Sequence, residues 1–250
     1  MVVLKTKEEI EQMKKPNQIV AEILKELKEL CRPGASTMDL EDKARELTAK
    51  CKVKPAFYQY RGYPAYLCAS VNEEVVHGIP RKDKILKEGD IVSLDFGVID
   101  QGFVGDAAVT VAVGKVSDQV KKLLKVTKEA LTMAVDRCRP GERLSDIAHA
   151  VQTLAENNGF SVVRDFVGHG VGRSMHEDPQ VPNFGMPRPN LRLREGMVLA
   201  LEPMINIGTW RVKVLDDGWT VVTEDGKPSA HFEHSVAVTD KGPLVLSRLN

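Results

Sequence analysis

Apolar residues at Ile10, Met13, Ile19, Val20, Ile23, Leu24 and Leu27 recur at helical spacing and predict a long amphipathic first helix. Thr6-x-x-Glu9 in front of this stripe has the form of a capping box, in which the two side chains satisfy each other's backbone amides. Pro16 lies inside the pattern and should kink the helix or mark its true start. Arg32-Pro33-Gly34 ends the segment, and Thr37 then caps a second helix over roughly 38–50. The same order returns later in the chain: a helix over about 118–137, a stop at Arg139-Pro140-Gly141, and a helix from Ser145 to about Asn157, closed by Gly159.

After each helix pair the pattern changes to that of strands. Residues 91–99 and 103–113 predict a hairpin around Asp100-Gln101-Gly102. Residues 197–206, 210–215, 218–223 and 232–239 predict a corresponding cluster, with turns near Asp217-Gly218 and Asp225-Gly226. Helices in pairs and strands in clusters argue for an α+β fold with a curved antiparallel sheet. The order is also a duplication. Lys87–Asp95 reads K-E-G-D-I-V-S-L-D, and 107 positions later Arg194–Glu202 reads R-E-G-M-V-L-A-L-E. The same offset relates Cys31-Arg32-Pro33-Gly34 to Cys138-Arg139-Pro140-Gly141. No linker rich in Ser, Pro or Gly interrupts the chain, so residues 1–250 read as a single domain of two half-repeats, about 1–113 and 114–250. Duplicated units tend to pack about a pseudo-two-fold axis, and acids related by that axis would meet near its centre.

Composition removes several function classes. Lys and Arg number 35 and Asp and Glu 35, so no basic excess points to nucleic acid. The first residues, Met1 to Glu9, hold no apolar core of a signal peptide. No run of 18 apolar residues predicts a membrane span. Cys31, Cys51, Cys68 and Cys138 form no CxxC pair and fit reduced thiols in a cytoplasmic protein. Without a coiled coil or a long apolar surface stripe, a monomer is expected.

The candidate chemistry lies in the strands. Each half places an acid at the end of one strand and another at the start of the next: Asp95 with Asp106, and Glu202 with Glu233. Any one of them could be an ordinary surface acid; four in matched positions of a repeat point to a site. Apolar neighbours (Leu94, Phe96, Leu201, Pro203) suggest that they enter the core. Buried carboxylates are costly unless paired. No Lys or Arg stands beside them in the strands, whereas two divalent cations would balance all four. Oxygen donors with one or two imidazoles suit Mn, Co, Fe, Ni or Zn.

The imidazole candidates are His77 in Val75-Val76-His77-Gly78-Ile79 and His169 in Val167-Gly168-His169-Gly170-Val171, whose glycines allow close approach of backbone and ligand. His176 follows, in a segment whose glycines favour a loop over a helix. His176-Glu177 is not an HExxH motif, because residue 180 is Gln. His231 and His234 would point to opposite faces of one strand, and His231 would share a face with Glu233. His149 reads as structural or solvent-facing. Cys68 has no basic neighbour in sequence and reads as a buried thiol.

Taken together, Asn72-Glu73-Glu74-Val75-Val76-His77-Gly78-Ile79-Pro80, the Asp95/Asp106 pair, Gly168-His169-Gly170-Val171-Gly172, Glu202-Pro203-Met204 and Phe232-Glu233-His234 resemble the type I methionine aminopeptidases among the M24 metallopeptidases. The resemblance runs along almost the whole chain. It implies the pitta-bread fold, and two divalent metal ions held by Asp95, Asp106, His169, Glu202 and Glu233, with Asp106 and Glu233 bridging. It implies that His77 and His176 contact substrate near the scissile bond and that Glu202 doubles as general base. Tyr60, Tyr63, Cys68, Met175 and Trp219 resemble the family's methionine pocket, and Phe57 borders it. The implied reaction removes the N-terminal methionine from nascent polypeptides, with a small second residue favoured and the ribosome as one place of encounter. The lack of a long zinc-binding extension at the N-terminus resembles the bacterial subtype. Val104, Gly97, Met175 and His231 depart from common family residues, which bears on pocket shape and metal tuning and leaves the ligand set whole. Two other readings keep the fold: an X-Pro peptidase, whose relatives usually carry a large extra N-terminal domain, and a non-enzymatic binding module, whose relatives lose metal ligands.

Overall fold

The computed structural model describes residues 1–186 and 190–248. Helix α1 (Lys7–Leu30) opens with the expected capping box: the Glu9 amide donates to the Thr6 hydroxyl at 3.2 Å and the Thr6 amide to the Glu9 carboxylate at 3.1 Å. Pro16 lies within α1 and does not mark its start. Helix α2 (Thr37–Cys51) is capped by Ser36, not Thr37. Ser36 forms a second capping box with Asp39, while the Thr37 hydroxyl is engaged by the backbone of Arg81, at 2.9 Å to its amide and 3.1 Å to its carbonyl. A contact from far along the chain thus moves the cap by one residue. Helices α3 (Asp118–Asp136) and α4 (Leu144–Asn157) follow, the latter beginning one residue before Ser145 and without a side-chain cap.

Fifteen strands lie among the described residues. They are β1 (Lys54–Pro55), β2 (Leu67–Val71), β3 (Glu74–Val76), β4 (Ile91–Asp100), β5 (Phe103–Ala112), β6 (Ser161–Val162), β7 (Gly168–Gly170), β8 (Glu177–Val181), β9 (Val198–Leu201), β10 (Met204–Asn206), β11 (Val212–Val214), β12 (Val221–Thr223), β13 (Ser229–His231), β14 (Glu233–Thr239) and β15 (Gly242–Val245). The main sheet runs β1-β4-β5-β14-β9-β7-β8, with β2 on β4 and β15 on β14, and every pairing is antiparallel. The predicted hairpin is β4–β5. Strand β5 of the first half pairs with β14 of the second, and this seam joins the halves.

Two predicted strands differ in an instructive way. The expected strand 197–206 breaks at Glu202-Pro203, because proline offers no N–H to a ladder. Before the break, β9 belongs to the main sheet; after it, β10 pairs with β13 and β6 in a small separate sheet. His231 ends β13 and Glu233 begins β14, so the two lie in different sheets, with Phe232 at the junction, and do not share a face of one strand.

Alternation along the strands divides the main sheet into two faces. Leu94 and Phe96 of β4 pack with Val20, Leu24 and Leu27 of α1 and Leu40 and Leu47 of α2. Leu199 and Leu201 of β9 and Val236 of β14 pack with Leu123 of α3 and with Ile147 and Val151 of α4. The residues between them, Asp95, Ala200 and Ser235, must therefore point to the opposite face. The contact between α1 and β5 is so close that a Cβ on Gly105 would stand 2.4 Å from the carbonyl carbon of Pro16. Gly105→Ala is expected to lower stability by about 1–3 kcal/mol through this overpacking, as measured by urea unfolding.

Candidate metal centre and its cleft

The strand register collects the acids. Asp95 on β4 stands opposite Ala108 on β5, and Ala108 stands opposite Glu233 on β14. Two residues along, Gly97 stands opposite Asp106. Because the side-chain period is two, Asp95, Asp106 and Glu233 share one face. On the far side, Ala200 of β9 stands opposite both Ser235 of β14 and His169 of β7, so His169 joins that face too. Glu202 follows β9 directly, at the break made by Pro203. Asp95 and Asp106 are thus mid-strand residues, not strand ends as expected. They meet because neighbouring strands set them diagonally. The residues between the acids are small (Gly97, Ala108, Ala200, Ser235) and leave the space above the sheet open.

Glycine makes the His169 strand possible. A Cβ on Gly168 would lie 2.3 Å from the Ala200 carbonyl, and one on Gly170 2.3 Å from that of Asp178. The backbone of β7 therefore fits between its neighbours only without side chains at these two places. The Nδ1 of His169 lies 3.0 Å from the Gly170 carbonyl. Donation of its proton there turns Nε2, as a lone pair, toward the acids. Nε2 is 3.4 Å from Glu202 and 3.8 Å from Asp106.

The electrostatics leave these acids either protonated or in need of a counter-ion. Burial, and then the neighbouring Asp106, raise the Asp95 carboxyl well above its ordinary value. Burial raises Asp106 to about 7, against one amide hydrogen bond that lowers it. Glu202 and Glu233 are also well raised, first by burial and then by the other acids. His169 cannot balance them as a cation, since burial and the nearby His176 push its ring down to about 4. No ion pair joins these acids to Lys or Arg among the described residues. One oxygen each of Asp95, Asp106 and Glu233 is buried without a hydrogen-bond partner. Ligand atoms of Asp106, His169 and Glu233 all lie within 4.8 Å of one another. Orphaned oxygens, a hard donor set and a neutral imidazole fit a divalent cation.

Above the acids lies a cleft of about 260 Å3, lined by every predicted pocket and substrate residue: Tyr60, Tyr63, Cys68, His77, Met175, His176 and Trp219, with Phe57. His176 is in a loop, as expected, with its Nδ1 2.8 Å from the Tyr60 hydroxyl and its ring 4.3 Å from that of His169. The Tyr63 hydroxyl lies 3.1 Å from the carbonyls of both Leu67 and Gly78, which leaves its ring as an apolar wall. Burial pushes the Cys68 thiol well up, so it stays neutral. His77 has a left-handed backbone, with φ 59°, and its ring stands edge-on to Phe166 at 5.5 Å and to Trp219 at 6.1 Å. A strained non-glycine residue in a cleft is a common mark of a functional position.

His231 lies beside the acids with Nε2 3.8 Å from Glu202, reached from the small sheet rather than along β14. His234 is on the other face, bonded to Ser247 at 2.8 Å. His149 lies in α4, away from the cleft. The sequence reading missed Arg61, Val76, Phe166, Val167 and Met204 as cleft residues. Each adjoins a motif already singled out, and this adjacency was the available signal.

The sequence matches the model of Metallopeptidase family M24 over residues 11–240. Methionine aminopeptidase 1 of Bacillus subtilis is 50% identical over 249 residues, covering 100% of both chains. The methionine aminopeptidase of Clostridium acetobutylicum is 48% identical over 247 residues, covering 99% of each. The crystal structure of methionine aminopeptidase from Thermotoga maritima superposes with a TM-score of 0.98 at 50% identity, over 100% of both chains. A prolidase from Pyrococcus furiosus, 22% identical, superposes at 0.81 over 99% of this chain and 66% of its own, and shares the fold alone. The architecture is accordingly the α+β pitta-bread fold, with duplicated half-units about a curved antiparallel sheet.

An acid with a raised value is protonated in the folded chain and ionised in the unfolded one between its ordinary and raised values. Its contribution to stability therefore falls as pH rises through that window, here from 3.8 to about 7 for Asp106. With metal stripped, Asp106→Asn is expected to melt close to the wild type at about pH 4 and above it at about pH 8. Added divalent metal should reverse the order at the higher pH, because only the wild type keeps all donors.

Proposed function

Because this chain belongs to metallopeptidase family M24, we propose that it removes the N-terminal methionine from nascent proteins and peptides by metal-assisted hydrolysis. The observation that carries this reading is the set of buried, unpartnered carboxylate oxygens facing an apolar cleft. Full-length relatives at about half identity, all methionine aminopeptidases by name, support it.

Asp95, Asp106, His169, Glu202 and Glu233 would hold two divalent ions of the Mn, Co, Fe, Ni or Zn class. When bound, such ions polarise a carbonyl and lower the pKa of water toward neutrality. Glu202 takes the proton of the attacking water: it stands at the end of the acid cluster, with the His169 and His231 imidazoles 3.4 and 3.8 Å from its carboxylate. The Tyr60 hydroxyl engages Nδ1 of His176, which leaves Nε2–H to donate to the carbonyl oxygen as it becomes an oxyanion. His77 holds the amide next to the cleaved bond. Burial and the nearby His176 lower its ring to about 4, so it acts as a neutral hydrogen-bonding group. Tyr60, Tyr63, Cys68, Met175 and Trp219, bordered by Phe57, offer the thioether a soft apolar slot. Gly97 keeps that slot open toward the sheet, because a Cβ there would stand 2.9 Å from Phe57 and 3.1 Å from Met175.

All five donors and the cleft come from one chain, so we read residues 1–250 as a single catalytic domain that acts as a monomer. Its place of action is the cytoplasm, on chains with a small second residue, as they emerge from the ribosome. No helix among the described residues is long and apolar enough to cross a membrane.

Chelator treatment followed by Mn or Co should abolish and then restore cleavage of Met-Ala-Ser, with an Ala-Pro peptide cut poorly or not at all. Full activity after complete metal removal would refute the metal mechanism, and preference for Ala-Pro would move the assignment to X-Pro peptides. Glu202→Gln should lower kcat by about 100-fold or more.

A further inference from the structure

The loop 171–176 carries Met175 and His176 into the cleft, and two residues outside the cleft lining hold it in place. Glu177 begins β8 directly after His176. One oxygen of its carboxylate accepts from the amides of Arg173 at 2.9 Å and Ser174 at 3.3 Å. The other takes the ammonium of Lys5, from the N-terminal segment. The Lys5 side chain is only 4% exposed and that of Glu177 12%. Lys5 is itself anchored: its amide donates to the Gly196 carbonyl at 2.7 Å, and its ammonium donates to that of Val3 at 3.1 Å. A Cβ on Gly172 would fall 2.5 Å from Lys5 Cε and 2.6 Å from Glu177 Oε1. The ion pair fills the space that a side chain at 172 would need. This accounts for the last glycine of the Gly168–Gly172 motif, which the metal donors do not.

Two buried charges add little stability, because their desolvation offsets their attraction, and an apolar pair of similar size often serves as well. The role of this pair lies in what the carboxylate does to the loop. The two amides that it accepts form the turn just before Met175 and His176. Lys5 pairs with the carboxylate and keeps it aimed at them. A second tie runs parallel, from Arg173 to Glu9 of α1 at 3.2 Å.

We propose that Lys5 and Glu177 are positioning residues for His176: the ion pair anchors the 171–176 loop to the N-terminal segment, so that the His176 ring meets the developing oxyanion. This inference rests on the methionine-removing reading above. A loop that is held less firmly binds the substrate but presents His176 poorly, so the loss belongs in kcat rather than KM.

The test is a double-mutant cycle on the full-length, metal-loaded enzyme with Met-Ala-Ser. It compares the wild type, the Lys5→Met/Glu177→Leu pair, His176→Ala, and the combination, each checked for metal content and melting temperature. The apolar pair should lower kcat by about 10-fold or more with KM within about 3-fold. In the His176→Ala background the same pair should cost less than about 2-fold, since the group it positions is gone. Lys5→Arg, which keeps a cation for Glu177, should recover most of kcat. Lys5→Met alone, taken through the same cycle, answers the question if the apolar pair does not fold. An apolar pair with wild-type kcat, or equal losses in both backgrounds, would overturn the inference while leaving the proposed function standing. A wild type inactive on Met-Ala-Ser would overturn both.

Discussion

The burial of Asp95, Asp106, Glu202 and Glu233 beside one another is the constraint on which the rest of this structure turns. Burial raises all four, neighbouring acids add to it for Asp95, Glu202 and Glu233, and the nearby imidazoles are themselves too far lowered to act as cations. Such a group is tolerable in two ways: protonated, or neutralised by bound cations. The fold separates this difficulty from its own stability. Helices α1 to α4 bury the apolar residues of one sheet face, while the acids occupy the other among small residues. Stability and chemistry thus occupy alternate positions of the same strands.

The duplication that assembles these acids is not a faithful two-fold. At the seam the symmetry holds: the Ala107–His234 pair lies at its centre, with Asp106 and Glu233 as counterparts on either side. The outer strands break it. Asp95 stands opposite Ala108, but Ser235, the counterpart of Ala108, stands opposite Ala200 and not Glu202. Glu202 is displaced to the end of β9, where Pro203 turns the chain into the small sheet. That displacement puts it near both His169 and His231, whereas Asp95 is flanked by Cys68 on β2. One half of the frame therefore sets imidazoles beside its outer acid and the other does not. A hydrolytic site with a distinct base needs this inequality more than it needs symmetry.

Much of the arrangement was legible in the chain. The Thr6/Glu9 box, the stops at Gly34 and Gly141, and the β4–β5 hairpin are local, and each was correctly placed from a few neighbouring residues. The acids were legible through repetition, since four carboxylates in matched positions are unlike surface scatter. The short strands were not. Gly168–Gly170 and Glu177–Val181 have no apolar alternation, and they become strands only because β9 and each other supply partners. Ser36 was overlooked as a cap because the Thr37 hydroxyl is claimed by Arg81, far along the chain. The left-handed backbone of His77 leaves no mark in sequence beyond the glycine that follows it.

By itself, the sequence determined the helix boundaries to within a residue or two, the duplicated order, the positions of the acids in it, and the family resemblance. These depend on local periodicity, capping chemistry and residue type, all written in consecutive positions. Only the tertiary structure decided which acids stand beside which, that 197–206 divides at Pro203, that His231 reaches Glu202 from another sheet, and that Lys5 pairs with Glu177. Those outcomes depend on strand register and on contacts between segments far apart in the chain. A slip of two residues keeps every side chain on its face while changing its neighbours, so only the assembled sheet determines them.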